Sequence, residues 1–283
     1  MPRKAYLEIT NACNLHCDFC HGTSRPIRYM GAEEFERAAT ELRGFADYLY
    51  LHVMGEPLLH PRLGEFFEVA HRLGFRVIVT TNGTLLQKNT ELLLNAPSLF
   101  KVSVSLHSFE SNAGRNEAEF ERYLTECFTF CDRAAERGMI SVLRLWNLGG
   151  EEELNERILS RMHDFFDHGD GEWKPIYSGF KLRDRLFLEW GERFDWPDIE
   201  AKVSGGTHSC YGLRDQVGVL SDGTVVPCCL DADGVIALGN IFTESLSDIL
   251  SSPRAVALKR SFETRSIVEP LCLRCGYAAS KRK

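Results

Sequence analysis

With 283 residues, the chain is long enough to bury roughly three quarters of the surface it would expose unfolded, so it needs no disulfide staple to fold. An apolar fraction of 44% beside 26% charged residues excludes disorder, and no run approaches the ~18 apolar residues of a membrane span. Acidic residues outnumber basic ones 40 to 33, for a net charge of −7, so neither a stable nucleic-acid partner nor a membrane is expected.

The opening residues pass directly into an alternating strand pattern, without the apolar h-region or small-residue cleavage site of a secreted chain, which places the protein in the cytoplasm. Tyr6 to Thr10 reads as the first strand, and Glu33 to Arg43 as a helix with Phe35, Ala38, Ala39 and Leu42 on one face. A second strand is expected over Tyr48 to Met54, a helix over Arg62 to Leu73, and a third, very apolar strand over Phe75 to Val79. The Asn82-Gly83 turn precedes a short helix at Glu91 to Leu94. Lys101 to Leu106 and Ile140 to Leu145 are the fourth and fifth strands, with helices at Glu117 to Arg137 and Leu154 to Phe166. Repeated strand-then-helix units imply a parallel sheet covered by helices.

Periodicity is least informative between Gly169 and Thr207, where Arg185 to Leu188 is the core of a sixth strand within an irregular connection. The pair Gly205-Gly206 marks a boundary between residues 1–204 and a smaller unit over 205–283. In the latter, Ser221-Asp222-Gly223 between Val217–Leu220 and Thr224–Val226 is a hairpin signal, and Leu246 to Leu250 reads as a helical turn or more.

Ten cysteines are the main chemical clue, and their clustering in a chain of this size favours intracellular metal ligation over a disulfide scaffold. Cys13, Cys17 and Cys20 stand within eight residues, directly after the first strand. A loop can wrap that spacing around an iron–sulfur cube, and three protein ligands leave one iron open, an arrangement suited to catalysis. Zinc or a four-ligand structural cluster would need another donor, for which His16 and His21 are near in sequence.

The run Cys13-Asn14-Leu15-His16-Cys17-Asp18-Phe19-Cys20 resembles the cysteine motif of the radical S-adenosylmethionine superfamily. That resemblance implies a partial (β/α)6 TIM-like barrel. It also implies that Cys13, Cys17 and Cys20 hold a [4Fe–4S] cluster whose open iron is chelated by S-adenosylmethionine, with Phe19 beside the adenine. Met54-Gly55-Glu56-Pro57 resembles the family's Gly-Gly-Glu element, which receives the methionyl amine. Met54 replaces the first glycine, so Gly55 supplies the close backbone approach and Glu56 an acceptor. Asn82 faces the same pocket or is simply the turn residue. Ser103, Ser105 and His107 share one face of the fourth strand and are candidates for cofactor or substrate contact. Arg144, a charge between Leu143 and Leu145, needs water or a partner if enclosed; a carboxylate of cofactor or substrate would serve, as would a structural ion pair.

Cys210, Cys228, Cys272 and Cys275 form a second group. With Gly218-to-Cys229, Leu238-to-Phe242 and Leu271-to-Cys275, it resembles the shortened twitch form of the SPASM extension, which implies an auxiliary [4Fe–4S] cluster and two clusters in all; zinc is the alternative for this group in isolation. Cys229 is either a buried packing residue or a hydrogen-atom donor at the barrel mouth. Cys127 and Cys131, four residues apart on a helix, are expected in the core.

The resemblance implies reductive cleavage of S-adenosylmethionine to a 5′-deoxyadenosyl radical that abstracts a substrate hydrogen. Redox-active oxidation or bond formation assisted by the auxiliary cluster is the preferred outcome, and epimerisation through Cys229 the alternative. The substrate is a small molecule or a peptide, and reduced flavodoxin or ferredoxin is the expected electron donor. Outside enzymes, an iron–sulfur electron carrier and a zinc-bearing interaction module remain as alternatives.

Overall fold

The computed structural model describes residues 3–110, 116–167, 172–203 and 210–280. Strands and helices alternate as β1 (Lys4–Leu7), α1 (Ala32–Arg43), β2 (Tyr48–Tyr50), α2 (Leu63–Arg72), β3 (Arg76–Thr81), α3 (Leu86–Leu94), β4 (Leu99–Ser105), α4 (Glu117–Glu136), β5 (Ile140–Leu148) and α5 (Asn155–Phe166). Then come β6 (Lys174–Ile176), β7 (Gly179–Arg183) and β8 (Leu186–Glu192). β1 through β5 pair in parallel in chain order and β8 runs parallel to β5, which makes the six strands of a partial barrel.

Each of the six parallel barrel strands has two unlike faces. Ala5, Leu7, Leu49, Val77, Val79, Val102, Val104, Leu143, Leu145, Leu186 and Leu188 are buried in one apolar cluster with the helices, among them Phe35, Ala38, Ala39 and Leu42 of α1. The alternate positions, including Tyr6, Glu8, Tyr50, His52, Ser103, Ser105, Arg144, Trp146 and Glu189, therefore point into the barrel lumen. Core burial of one face thus dictates a polar interior on the other. α4 opens on a reciprocal cap, Asn116 Oδ1 accepting from Glu119 N at 3.0 Å while the Glu119 carboxylate accepts from Asn116 N at 3.1 Å, and its Cys127 and Cys131 are fully buried in the core.

Several boundaries differ from the sequence expectation. β1 and β2 end early, at Leu7 and Tyr50, because the chain turns there into the loops that carry Cys13 and Gly55. α3 starts at Leu86, a turn earlier than expected. The irregular connection contains an antiparallel hairpin, β6–β7, that runs back along β8 at the sheet's edge. At Gly179, with φ +153°, a Cβ would lie 2.0 Å from the Leu188 carbonyl oxygen, so only glycine fits that crossing.

The expected boundary at Gly205-Gly206 lies outside the described residues. Beyond it come β9 (Gln216–Val219), β10 (Thr224–Val226), β11 (Gly239–Asn240), α6 (Leu246–Leu250), α7 (Pro253–Glu263) and α8 (Gly276–Ser280). β9 pairs in parallel with β1, from Lys4 opposite Gln216 to Leu7 opposite Val219. The hairpin therefore prolongs the barrel sheet, which has eleven strands in the order β11-β10-β9-β1-β2-β3-β4-β5-β8-β7-β6. This pairing brings the auxiliary cysteine segment to the lumen edge. Among the described residues no helix is long and apolar enough to cross a membrane.

Candidate active site

The cysteine loop leaves the carboxyl end of β1, and its return limb is pinned back on the strand's continuation. Met30 N donates to Ile9 O at 2.8 Å, Thr10 Oγ1 donates to Arg28 O at 2.8 Å, and Asn11 bridges Pro26 O and Arg28 N. Cys13 and Cys20 are exposed and Cys17 is half-buried; the Cys17 thiol reaches the Ser108 carbonyl at 3.9 Å. Phe19 is fixed from two sides. Trp196 Nε1 donates to its carbonyl at 3.0 Å, and its ring lies 4.7 Å from that of His107. Asp18 beside it pairs with Arg193 at 2.9 Å. His21 stacks on Trp196 and lies 3.6 Å from Asp233, so its ring is engaged by the segments that cover the loop.

Gly55 takes the close approach expected of it. At φ +77° its position would put a Cβ 2.4 Å from Thr10 O and 2.8 Å from Ala12 O, so any side chain there would displace the cysteine loop. Glu56 N donates to Ala12 O at 2.8 Å. The Glu56 carboxylate accepts from Leu58 N at 3.0 Å and from Asn82 N at 2.8 Å, linking the β2 and β3 loops. Burial pushes its carboxyl up to about 7 despite those hydrogen bonds, the signature of a buried acid that lacks a cation. Asn82 Nδ2 donates to Asn14 Oδ1 at 3.0 Å and lies 4.0 Å from Cys13 Sγ. Its own carbonyl accepts from Tyr123 OH at 2.8 Å. Asn82 is thus both the turn residue and a brace against the cysteine loop.

Inside the barrel, Ser103 is buried and Ser105 half-buried on the lumen face of β4. His107 is buried, its Nδ1 3.1 Å from Arg144 O and 3.3 Å from Trp146 N; burial pushes it down to about 4, so the ring is neutral. Arg144 lays its guanidinium over the Trp146 ring, 3.5 Å from the centroid.

Sequence reasoning missed Glu8 and Arg25. Glu8 is fully buried, and Arg25 Nη2 donates to both its oxygens at 2.8 and 2.7 Å. The same carboxylate accepts from Met54 N at 3.1 Å and Ser221 N at 3.0 Å, while Arg25 Nε donates to Ala232 O at 2.8 Å. One ion pair therefore ties the segment before Gly55, the return limb of the cysteine loop and the auxiliary hairpin together. The only signal was an acid at an inward position of the first strand.

Cys210, Cys228, Cys272 and Cys275 line one pocket, floored by Pro227, Phe262 and Leu271; Cys229 is not among its lining residues. Burial raises all four thiols' pKa values. Cys229 sits instead against Tyr6, Val53, Leu220 and Val226, its thiol hydrogen-bonded to the Tyr6 hydroxyl. Among the described residues, no group of three or more His, Cys, Asp or Glu side chains is drawn together for a single metal ion. The fit of each cysteine group therefore rests on its donor chemistry. Three thiols on an accessible loop suit a cluster with an open iron, and four thiols in an apolar pocket, each needing metal charge to ionise there, suit a closed one.

A partial barrel with a three-thiol loop at its carboxyl end, a buried Gly-Glu turn beside it and a thiol-lined pocket at its edge is a setting for iron–sulfur and S-adenosylmethionine chemistry. A profile of the Radical SAM superfamily matches residues 7–161, and one for the SPASM iron-sulfur cluster-binding domain matches residues 210–276. The chain belongs to the radical SAM superfamily, with a SPASM domain after the barrel, and its cofactors are S-adenosylmethionine and [4Fe–4S] clusters. It is similar to the tungsten-containing aldehyde ferredoxin oxidoreductase cofactor-modifying protein of Pyrococcus furiosus, 33% identical over 96% of this chain and 86% of the relative. It spans only 37% of the length of another relative, the AdoMet-dependent heme synthase of Methanosarcina barkeri, at 30% identity. In fold it resembles BtrN in complex with AdoMet and 2-DOIA, at TM-score 0.62, 17% identity and coverage of 97% and 93% of the two chains. It also resembles Streptococcus suis SuiB bound to precursor peptide SuiA, at TM-score 0.59, 16% identity and coverage of 99% and 70%.

Proposed function

We propose that this enzyme abstracts a hydrogen atom from a substrate held in the barrel lumen and completes an oxidation or bond formation with help from the auxiliary cluster. Bound to the first cluster, S-adenosylmethionine supplies, on one-electron reduction, the carbon-centred radical that abstracts hydrogen. Cys13, Cys17 and Cys20 hold that cluster; Gly55 and Glu56 receive the methionyl amine; Phe19, backed by His107, lies along the adenine. Asn82, Ser103 and Ser105 complete the pocket wall. The barrel's apolar shell and its polar, fixed lumen orient substrate and keep competing hydrogen donors away.

The observation that carries the redox outcome is the shared pocket of Cys210, Cys228, Cys272 and Cys275, which the β1–β9 pairing sets at the barrel's edge. A four-cysteine site has no open iron for substrate, so its contribution is to accept an electron. A second reading, epimerisation, is favoured by the position of Cys229 outside that pocket and beside Tyr6, where a thiol can donate hydrogen towards the lumen. Solved proteins of this fold have both a small molecule and a precursor peptide named as ligands, and both substrate classes belong to the assay. Reduced flavodoxin or ferredoxin is the electron donor in the cytoplasm.

The test is anaerobic reconstitution, addition of S-adenosylmethionine and reductant, and mass analysis of incubated extracts from cells lacking the protein. Formation of 5′-deoxyadenosine with a product lighter by two hydrogens supports oxidation. Solvent deuterium at an inverted centre, with no oxidised product, would replace it with epimerisation.

A further inference from the structure

We infer that the lumen contains an anion-binding subsite centred on Arg144, which takes a carboxylate group of the substrate. This rests on the lumen being the substrate chamber, as proposed above, and adds what the substrate must carry. Arg144 lies on β5 between Leu143 and Leu145, both fully buried on the opposite face, so its side chain has only the lumen to enter. There its guanidinium stacks on Trp146, and Nε is buried with no hydrogen-bond partner among the described residues. No carboxylate of a described residue forms an ion pair with it. Its register neighbour on β8 is Glu189, but that acid pairs with Lys101 at 3.5 Å. An enclosed cation with no carboxylate bonded to it is costly, and burial, opposed in part by the Glu189 charge, lowers its pKa to about 10.

The surroundings repeat the same demand. Two further nitrogens at this level, His52 Nδ1 and Trp146 Nε1, are buried with no partner among the described residues. Burial, then the Arg144 charge, push His52 down to about 3, so His52 is a neutral group that can donate without adding charge. The groups acting on Arg144 are Glu189, Tyr6, Tyr50 and Cys229, of which Tyr6 and Cys229 pack with Leu220 and Val226 of the auxiliary hairpin. With Lys101 paired to Glu189 and Lys4 set over the Tyr50 ring, Arg144 is the uncommitted cation of this layer among the described residues. A single planar, stacked guanidinium with neutral donors beside it matches a monoanionic carboxylate bound through two parallel N–H···O contacts; a phosphate dianion would call for a second cation.

The experiment uses cluster-loaded protein saturated with S-adenosylmethionine. Thermal midpoints are measured with N-acetylglycine, its uncharged amide N-acetylglycinamide, and inorganic phosphate, at matched ionic strength. The wild type is expected to be stabilised by N-acetylglycine and not by the amide; Arg144→Gln loses the response and Arg144→Lys keeps part of it. S-adenosylmethionine affinity, titrated in the same preparations, stays within about twofold in Arg144→Lys. No response of the wild type to N-acetylglycine, an equal response in Arg144→Gln, or a response to phosphate alone overturns the carboxylate subsite. A tenfold or greater loss of S-adenosylmethionine affinity in folded Arg144→Lys overturns it in favour of the cofactor's own carboxylate. Formation of 5′-deoxyadenosine by the wild type is followed in parallel, so failure of radical chemistry and failure of the subsite read separately.

Discussion

Replacing Glu56 by Gln should abolish the loss of stability that the cofactor-free protein undergoes as pH rises to neutral, while weakening its grip on S-adenosylmethionine. The Glu56 carboxyl is raised from 4.5 to about 7 by burial. At about 1.4 kcal/mol per pKa unit, that is a penalty of about 3 kcal/mol for holding it ionised without a cation. Below pH 4.5 both folded and unfolded states carry the neutral acid and the full stability is present. Between 4.5 and about 7 the unfolded chain releases its proton first and stability falls; above 7 the loss is complete. Glutamine lacks this slope, although its single amide oxygen cannot serve both the Leu58 and Asn82 N–H groups that the carboxylate now satisfies, a mismatch of about 1–3 kcal/mol. The difference between variant and wild type should therefore move in the variant's favour by up to about 3 kcal/mol from pH 5 to pH 8. Anaerobic thermal midpoints of cluster-loaded protein would show this. For S-adenosylmethionine the sign reverses. The amine binds the ionised carboxylate, so wild-type affinity should fall as pH drops from 7 to 5, and Glu56→Gln should bind about tenfold or more weakly at pH 7, with that pH dependence gone. Equal affinities in a folded, cluster-loaded variant, or the same pH dependence in both proteins, would refute the reasoning and leave Glu56 as a loop brace.

Joint replacement of Cys13, Cys17 and Cys20 by Ala should remove about four irons per chain and spare the auxiliary cluster; iron and sulfide analysis checks it. Replacing Cys210 or Cys272 should impair substrate turnover more than substrate-independent cleavage of S-adenosylmethionine, with cluster content and fold measured first because metal ligation can itself support folding. Glu8→Gln should destabilise the protein by roughly 3 kcal/mol, the cost of leaving Arg25 enclosed without its partner, and should also lower S-adenosylmethionine affinity because the Met54 N–H loses a charged acceptor. A thermal midpoint within a degree or so of wild type would show that water can replace that contact. Retention of any epimerase activity in Cys229→Ala would exclude this thiol as the hydrogen donor.

The barrel was legible because its order is local: Phe35 to Leu42 and Phe66 to Ala70 carry helical apolar stripes, and Val102 to Leu106 alternates with period two. The cysteine groups were legible because their donors are close in sequence or framed by a hairpin signal. What escaped depends on contacts distant in sequence. The β7 strand is half-buried at every position, so no apolar alternation announced it. The joining of β9 to β1 is a pairing between residues about two hundred positions apart, which periodicity cannot register. α7 had a signal that went unread, Ser252 capping the helix with Pro253 in its first turn. In the site, Gly55 and Glu56 could be placed by their position after a strand, but the partners of Glu56 could not. Glu8 looked like an ordinary polar position of a strand until Arg25, Met54 and Ser221 came together around it, and His52 and Trp146 acquired meaning only once Arg144 was seen to lack a counter-ion.

The central claim is that one chain carries a cluster with an iron open to S-adenosylmethionine and a second cluster closed by four cysteines. Mössbauer spectra of protein reconstituted with isotopically enriched iron, recorded with and without S-adenosylmethionine, test it most directly. The account predicts two [4Fe–4S] populations of equal size, with the cofactor altering one iron site of the first and none of the second. A single cluster per chain at full occupancy, or spectra in which the cofactor alters no iron or alters both clusters, would contradict it.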